Sequence, residues 1–350
     1  MGSDSLPASA ELSARPAARS RYIVGPVYDW LLFLAPPALA MALAVVLGVL
    51  DVASERFWID GRRATYLGLA TGALVHAHLV AVVFRSHGNP TVLRRHKVRF
   101  LVVPPLLIAA MMLSEEVMLL STVIVVFWDV YHSALQTFGF GRIYDARAGN
   151  DATVGRRLDL GLNLVLYIGP IVAGASMIDH IGSLEALDDL GTTFFSTVPV
   201  LLEEKKSVVL GVVLSGGVVY AIYYVLAYVG LARRGYKVAW PKVWLLTSTA
   251  LCSIVAWGFN PWGLAFFVMN VFHAVQYLGL VWWSEGGRIK NVSGLKRLAP
   301  LAFLLLLASY GTWAELVTDE EPFLWAITQT VALMHFWYDG FVWSVSKRHV

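Results

Sequence analysis

Ten apolar stretches divide this sequence, at approximately 27–50, 65–84, 99–114, 117–140, 160–178, 207–231, 243–260, 263–283, 298–314 and 323–343. A helix of roughly 20 apolar residues crosses a ~30 Å hydrocarbon layer, so each stretch is a candidate span. Composition agrees: 57% of residues are hydrophobic and 15% are charged, against about 25% charged in soluble domains. The pattern predicts an all-α polytopic membrane protein of about ten transmembrane helices. Residues 1–26, rich in Ser, Ala and Pro, read as a disordered cytoplasmic N-terminus without the apolar core of a signal peptide. Residues 27–343 read as one transmembrane domain, and 344–350 as a cytoplasmic tail. The single cysteine, Cys252, leaves no internal disulfide.

Charge tests the count independently. Ten spans assign 22 of the 27 Lys and Arg residues to the side that also carries both termini. The opposite side holds only Arg56, Arg62, Arg63, Lys205 and Lys206, together with most of the acids. The positive-inside rule then places both termini in the cytoplasm, in a bacterial inner membrane or its equivalent.

Against this apolar background, the stretch FWDVYHSALQTFGFG, residues 127–141, is anomalous. It puts Asp129, His132 and Gln136 inside the fourth span. Three further even-numbered spans also carry histidine: ALVHAHLV with His76 and His78, NVFHAVQY with Asn270, His273, Gln276 and Tyr277, and MHFWYDG with His335 and Asp339. Counted back from the cytoplasmic ends, His76, His132, His273 and His335 lie at depths of roughly 13–18 Å. Four histidines from four helices therefore share one layer.

Helical spacing puts Asp129, His132 and Gln136 on one face, and His335 with Asp339 on another. His76 and His78 point about 200° apart, so one of them faces the centre, and depth selects His76. The fourth and eighth spans also match in register, DVYHSALQ beside NVFHAVQY. A lone histidine, Asn270, Gln136 or Gln276 reads as an interhelical hydrogen-bond link. Asp129 and Asp339 demand more, because a charge at mid-membrane costs ~2.5–3.5 kcal/mol on insertion scales.

Imidazole and carboxylate together suit a transition metal such as iron, zinc, manganese or copper. The expected ligands are His76, Asp129, His132, His273, His335 and Asp339, around one or two ions. His78, Gln136, Asn270, Gln276, Tyr277, Tyr131 and Trp337 are expected around them, orienting the ligands or lining the pocket. Four histidine-bearing membrane helices holding metal at one depth resemble the integral-membrane non-haem iron enzymes, the fatty-acid desaturases and hydroxylases and the bacterial carotene-cleaving dioxygenases. The resemblance implies iron, oxygen chemistry on a lipid or other apolar substrate, and an electron donor on the cytoplasmic side. Two other classes use the same residue types: a b-type haem protein with axial histidines, and a proton-coupled or metal transporter.

The remaining features have simpler readings. The bilayer is the expected partner, and no nucleic-acid partner is implied. Arg142, Arg156, Arg157 and the basic loop 85–99 are expected to meet anionic headgroups, and His87 and His96 to be solvated. Residues 179–206 are expected to lie on the outer surface, amphipathic in parts. Pro36-Pro37 and Pro104-Pro105 are candidate helix breaks.

Overall fold

The computed structural model describes residues 20–49, 56–59, 62–151, 153–174, 204–260, 262–317 and 321–343. The expected N-terminal tail up to residue 19, most of the 179–206 segment and the tail 344–350 lie outside these.

Among the described residues the architecture is all-α apart from one short hairpin. Helices α1 (Pro26–Asp29) and α2 (Pro36–Val49) are joined by a π-helical turn, Trp30–Leu34. Strands β1 (Arg56–Ile59) and β2 (Arg62–Thr65) follow, then α3 (Tyr66–Val80), α4 (Val82–Ser86), α5 (Pro90–Leu101), α6 (Val103–Leu113) and α7 (Glu115–Arg147). The chain continues through α8 (Arg156–Ala173), α9 (Lys206–Arg233), α10 (Trp240–Phe259), α11 (Trp262–Ser293), α12 (Ala299–Leu316) and α13 (Pro322–Val342).

Among the described residues, seven helical segments are long and apolar enough to cross a membrane, and the bent pair Pro26–Leu34 with Pro36–Leu47 makes an eighth if it counts as one span. The two other expected spans fold as α8 and α13 and are not among those seven. α11 is central, with 72% of its most apolar window buried, whereas α9 buries none of its own and lies at the edge.

Two local features were not expected. β1 and β2 pair antiparallel, with Ile59 opposite Arg62 and Arg56 opposite Thr65. The basic segment expected as a loop after Arg85 is largely helical. Asn89 caps α5 by accepting from the Thr91 amide at 3.1 Å, and Pro90 fills the first helical position.

Helix breaks free particular carbonyls, and these carbonyls tie the bundle together. In the α1–α2 pair, whose two halves are bent by 50°, Pro37 has no N–H to offer the Phe33 carbonyl four residues earlier. That oxygen accepts from Gln276 Nε2 on α11 instead, at 2.7 Å. A second break falls at Ala81, whose amide bonds His78 O at 3.2 Å between α3 and α4. Near it, the Leu79 carbonyl accepts from His335 Nδ1 at 2.9 Å.

α12 packs on α3 with almost no space between the backbones. A Cβ on Gly311 would collide with the Ala73 carbonyl oxygen and the Ala77 methyl. Small residues allow this approach, and in lipid it is the main source of helix–helix attraction. Gly311→Leu should therefore overpack the contact at a cost of about 1–3 kcal/mol or more. A lowered unfolding midpoint in detergent would show it, and an unchanged midpoint would mean that α12 does not sit this close.

Candidate metal centre

His78 on α3, His132 on α7, His273 on α11 and His335 on α13 come together in a closed ring of imidazoles. Successive ring centroids are 5.0 Å apart for His78–His273, 5.3 Å for His273–His132, 4.7 Å for His132–His335 and 5.1 Å for His335–His78. Every pair is edge-on, and all four side chains are buried.

The ring nitrogens show what this arrangement is ready to hold. A carbonyl only accepts, so the His335–Leu79 bond puts the proton of His335 on Nδ1 and leaves the Nε2 lone pair facing inward. His335 Nε2 lies 3.1 Å from His132 Nε2. Asp339 Oδ2 lies 3.9 Å from His132 Nε2 and 3.8 Å from His335 Nε2. The point equidistant from these three atoms in their plane is about 2.1 Å from each, the length of a metal–nitrogen bond. His132, His335 and Asp339 thus form a group able to hold a metal ion.

The neighbouring rings strengthen the fit. Both nitrogens of His78 and both of His273 are buried without a hydrogen-bond partner. Leaving such a group unsatisfied costs about 1–3 kcal/mol, so a buried cluster of them calls for a ligand. The other oxygen of the carboxylate is held from behind: Asp339 Oδ1 accepts from Tyr277 OH at 2.9 Å and from Trp343 Nε1 at 3.0 Å. That leaves Oδ2 directed at the histidines, the kind of support from behind that fixes a metal ligand.

Several expected residues sit elsewhere. His76 turns away from the ring, with Nε2 3.8 Å from Glu315 on α12, and His78 takes the inward position. Depth along the helix does not fix azimuth, and here the α3–α12 contact sets it. Asp129 is also not in the ring. It lines a separate small cavity with Asn270, Tyr167 and Trp257. Tyr131 is exposed, and Trp337 packs against Phe341 and under Arg99.

Gln136 and Gln276 act as interhelical hydrogen-bond links, whereas the bond of Asn270 stays within its own helix. Gln136 Nε2 reaches His273 O at 3.0 Å and Gln276 Oε1 at 3.3 Å, while Asn270 bonds Phe266 O at 3.0 Å within α11. The matching registers of α7 and α11 meet like with like: Asp129 beside Asn270, His132 against His273, Gln136 against Gln276.

A cavity of about 260 Å³ leads away from the metal group. It begins at His132, Tyr277 and Asp339, continues past Gly139 and Phe140, and ends at Thr153 and Arg156.

Beside its outer end lies a buried ion cluster that sequence reading missed. Arg142 Nη1 contacts Asp145 Oδ2 at 2.7 Å and Asp159 Oδ2 at 2.5 Å, and Lys242 Nζ contacts both at 2.8 Å. Arg142 therefore faces acids inside the protein, contrary to its expected place among headgroups. Tyr224 and Tyr228 donate to Asp159 Oδ1 at 2.8 and 2.6 Å, and Tyr236 donates to Asp145. Burial, with that bond to Asp145, raises the phenol pKa of Tyr236. His87 is likewise engaged: Nδ1 bonds Ser86 Oγ at 2.8 Å and Nε2 donates to the Phe100 carbonyl at 3.1 Å.

No protein-family model, curated protein or solved structure matches this chain.

Proposed function

We propose that this chain is an integral-membrane metalloprotein in which His132, His335 and Asp339 bind a transition-metal ion, with His78 and His273 completing the donor set. The observation that carries the reading is the equidistant point about 2.1 Å from three ligand atoms. Four imidazoles and one carboxylate are a donor set for a first-row transition metal. We take that metal to be iron, in a non-haem oxidoreductase acting on a lipid or other apolar substrate. In favour of this choice, five donors leave a coordination position free for oxygen or substrate, and the apolar cavity opens directly beside Asp339.

In this reading all ten helical stretches span the bilayer with both termini in the cytoplasm. The cavity's Arg156 end then faces the cytoplasm, the side on which an electron donor would dock. A haem arrangement fits less well: neighbouring rings meet edge to face with centroids 4.7–5.3 Å apart, too close for a macrocycle between them. The likeness to membrane desaturases, hydroxylases and carotene dioxygenases belongs to this proposal and rests on the histidine-bearing helices alone.

The test is elemental analysis beside an optical spectrum on detergent-purified protein, wild type and His132→Ala. About one metal ion per chain without a Soret band, lost in the variant, supports the reading. A Soret band would make the protein a cytochrome. Folded, colourless, metal-free protein would leave the polar cluster as a transport path.

A further inference from the structure

The outer end of the cavity carries information about what enters it. Thr153 and Arg156 line both the inner cavity and a larger surface groove of about 830 Å³ between α8 and α9, so the two spaces adjoin. The groove also presents Arg157 and Arg234, on a floor of Leu158, Leu160 and Leu231. Among the described residues no acidic side chain lines it. Arg142, which lines the inner cavity, is already neutralised by Asp145 and Asp159. The side chains of Arg156, Arg157 and Arg234 have no hydrogen-bond or ion-pair partner among the described residues.

Inward from Arg156 the cavity follows one face of α7, through His132, Leu135, Gln136, Gly139, Phe140 and Ile143. Eleven residues of helix span about 16 Å. Leu135, Phe138, Phe140, Ile143 and Leu280 make the path apolar for most of that length, with Gln136 next to the metal group and the ion-paired Arg142 near the mouth as further polar side chains. A three-arginine groove adjoining a narrow apolar passage is complementary to a single-chain amphiphile with an anionic head.

The head can be specified further. Guanidinium groups bind phosphate and carboxylate alike in bidentate fashion. Three uncompensated arginines match more than one negative charge, and a phosphomonoester carries about 1.5–2 of them at neutral pH. We infer that this groove and passage bind a phosphomonoester lipid, its phosphate among Arg156, Arg157 and Arg234 and its single chain running past Gly139 to Asp339. The inference deepens the proposed function by naming a substrate class. Binding itself does not require the metal.

Gly139 and Gly340 both line the passage, and a Cβ at either meets nothing within 4 Å. A leucine at either position fills the passage without striking its own surroundings. The experiment is calorimetric titration of full-length protein in a neutral detergent with hexyl phosphate, dodecyl phosphate, dodecanoate and dodecanol. Wild type should bind dodecyl phosphate about tenfold or more tighter than hexyl phosphate, because the longer chain buries more apolar surface. The triple variant Arg156→Gln, Arg157→Gln, Arg234→Gln should lose about tenfold or more for both phosphates, through lost charge-assisted bonds.

Gly139→Leu and Gly340→Leu should abolish the chain-length gain while keeping hexyl phosphate binding, which also reports that each variant is folded. Wild type stripped of metal with a chelator should bind dodecyl phosphate as the untreated protein does, so a failure of the metal reading is seen separately. Equal binding of dodecanoate and dodecyl phosphate would overturn the phosphate assignment. A chain-length gain that survives both leucines would place the chain outside the passage, and an unaffected triple variant would remove the headgroup site.

Discussion

His335→Ala should lower metal affinity by more than 100-fold, measured by chelator competition on purified protein, and Asp339→Ala should do the same. Each removes one of the three atoms that share the equidistant point. Tyr277→Phe should be milder. It deletes one of the two hydrogen bonds that aim the carboxylate, and loss of such a supporting bond costs about 10–100-fold in affinity. His76→Ala should leave metal binding unchanged, since that ring faces Glu315, while His78→Ala should weaken it. The sharpest refutation is the reverse order for the two histidines of α3. If His76→Ala emptied the site and His78→Ala did not, α3 would have the opposite rotation and the imidazole ring would not exist as described.

That pair of histidines also shows what was legible in the sequence. Among the described residues, each apolar stretch is helical, because a span declares itself by length and composition, whereas hydropathy alone reads the basic helix α5 as a loop. The same logic found the four histidine-bearing helices, since a polar side chain is conspicuous in an apolar run. Azimuth was not legible. Which of His76 and His78 points inward depends on Gly311 and Ala77 meeting at the α3–α12 contact, a relation between segments more than 200 residues apart.

Asp129 failed differently. It shares a helical face with His132 by spacing, yet i and i+3 differ by about 60° in azimuth. That is enough to put the aspartate in a different cavity. The ion cluster was illegible for another reason. Arg142, Asp145, Asp159 and Lys242 fall in three segments that each look like an ordinary charged helix end, and only folding shows that they close on one another.

The second large effect belongs to that cluster. Asp159→Asn should destabilise the protein by about 3–5 kcal/mol, the usual cost of removing one partner from a buried ion pair. Against a total stability of about 5–15 kcal/mol that is a severe loss. The asparagine oxygen can still accept from Tyr224 and Tyr228, so the loss reports charge more than hydrogen bonding. Lys242→Met should cost a similar amount, leaving two buried carboxylates with one guanidinium.

The double variant is the informative one. It leaves Arg142 and Asp145 as a neutral pair at 2.7 Å, so its cost should fall well below the sum of the two single variants, by the logic of a double-mutant cycle. Unfolding midpoints in mixed detergent measure all three. Strict additivity would mean that the four charges do not share one buried site. Because the cluster fixes the end of α7 against α8 and α10, its loss should also loosen the Thr153–Arg156 mouth. Dodecyl phosphate binding should then weaken in both single variants and recover in the double.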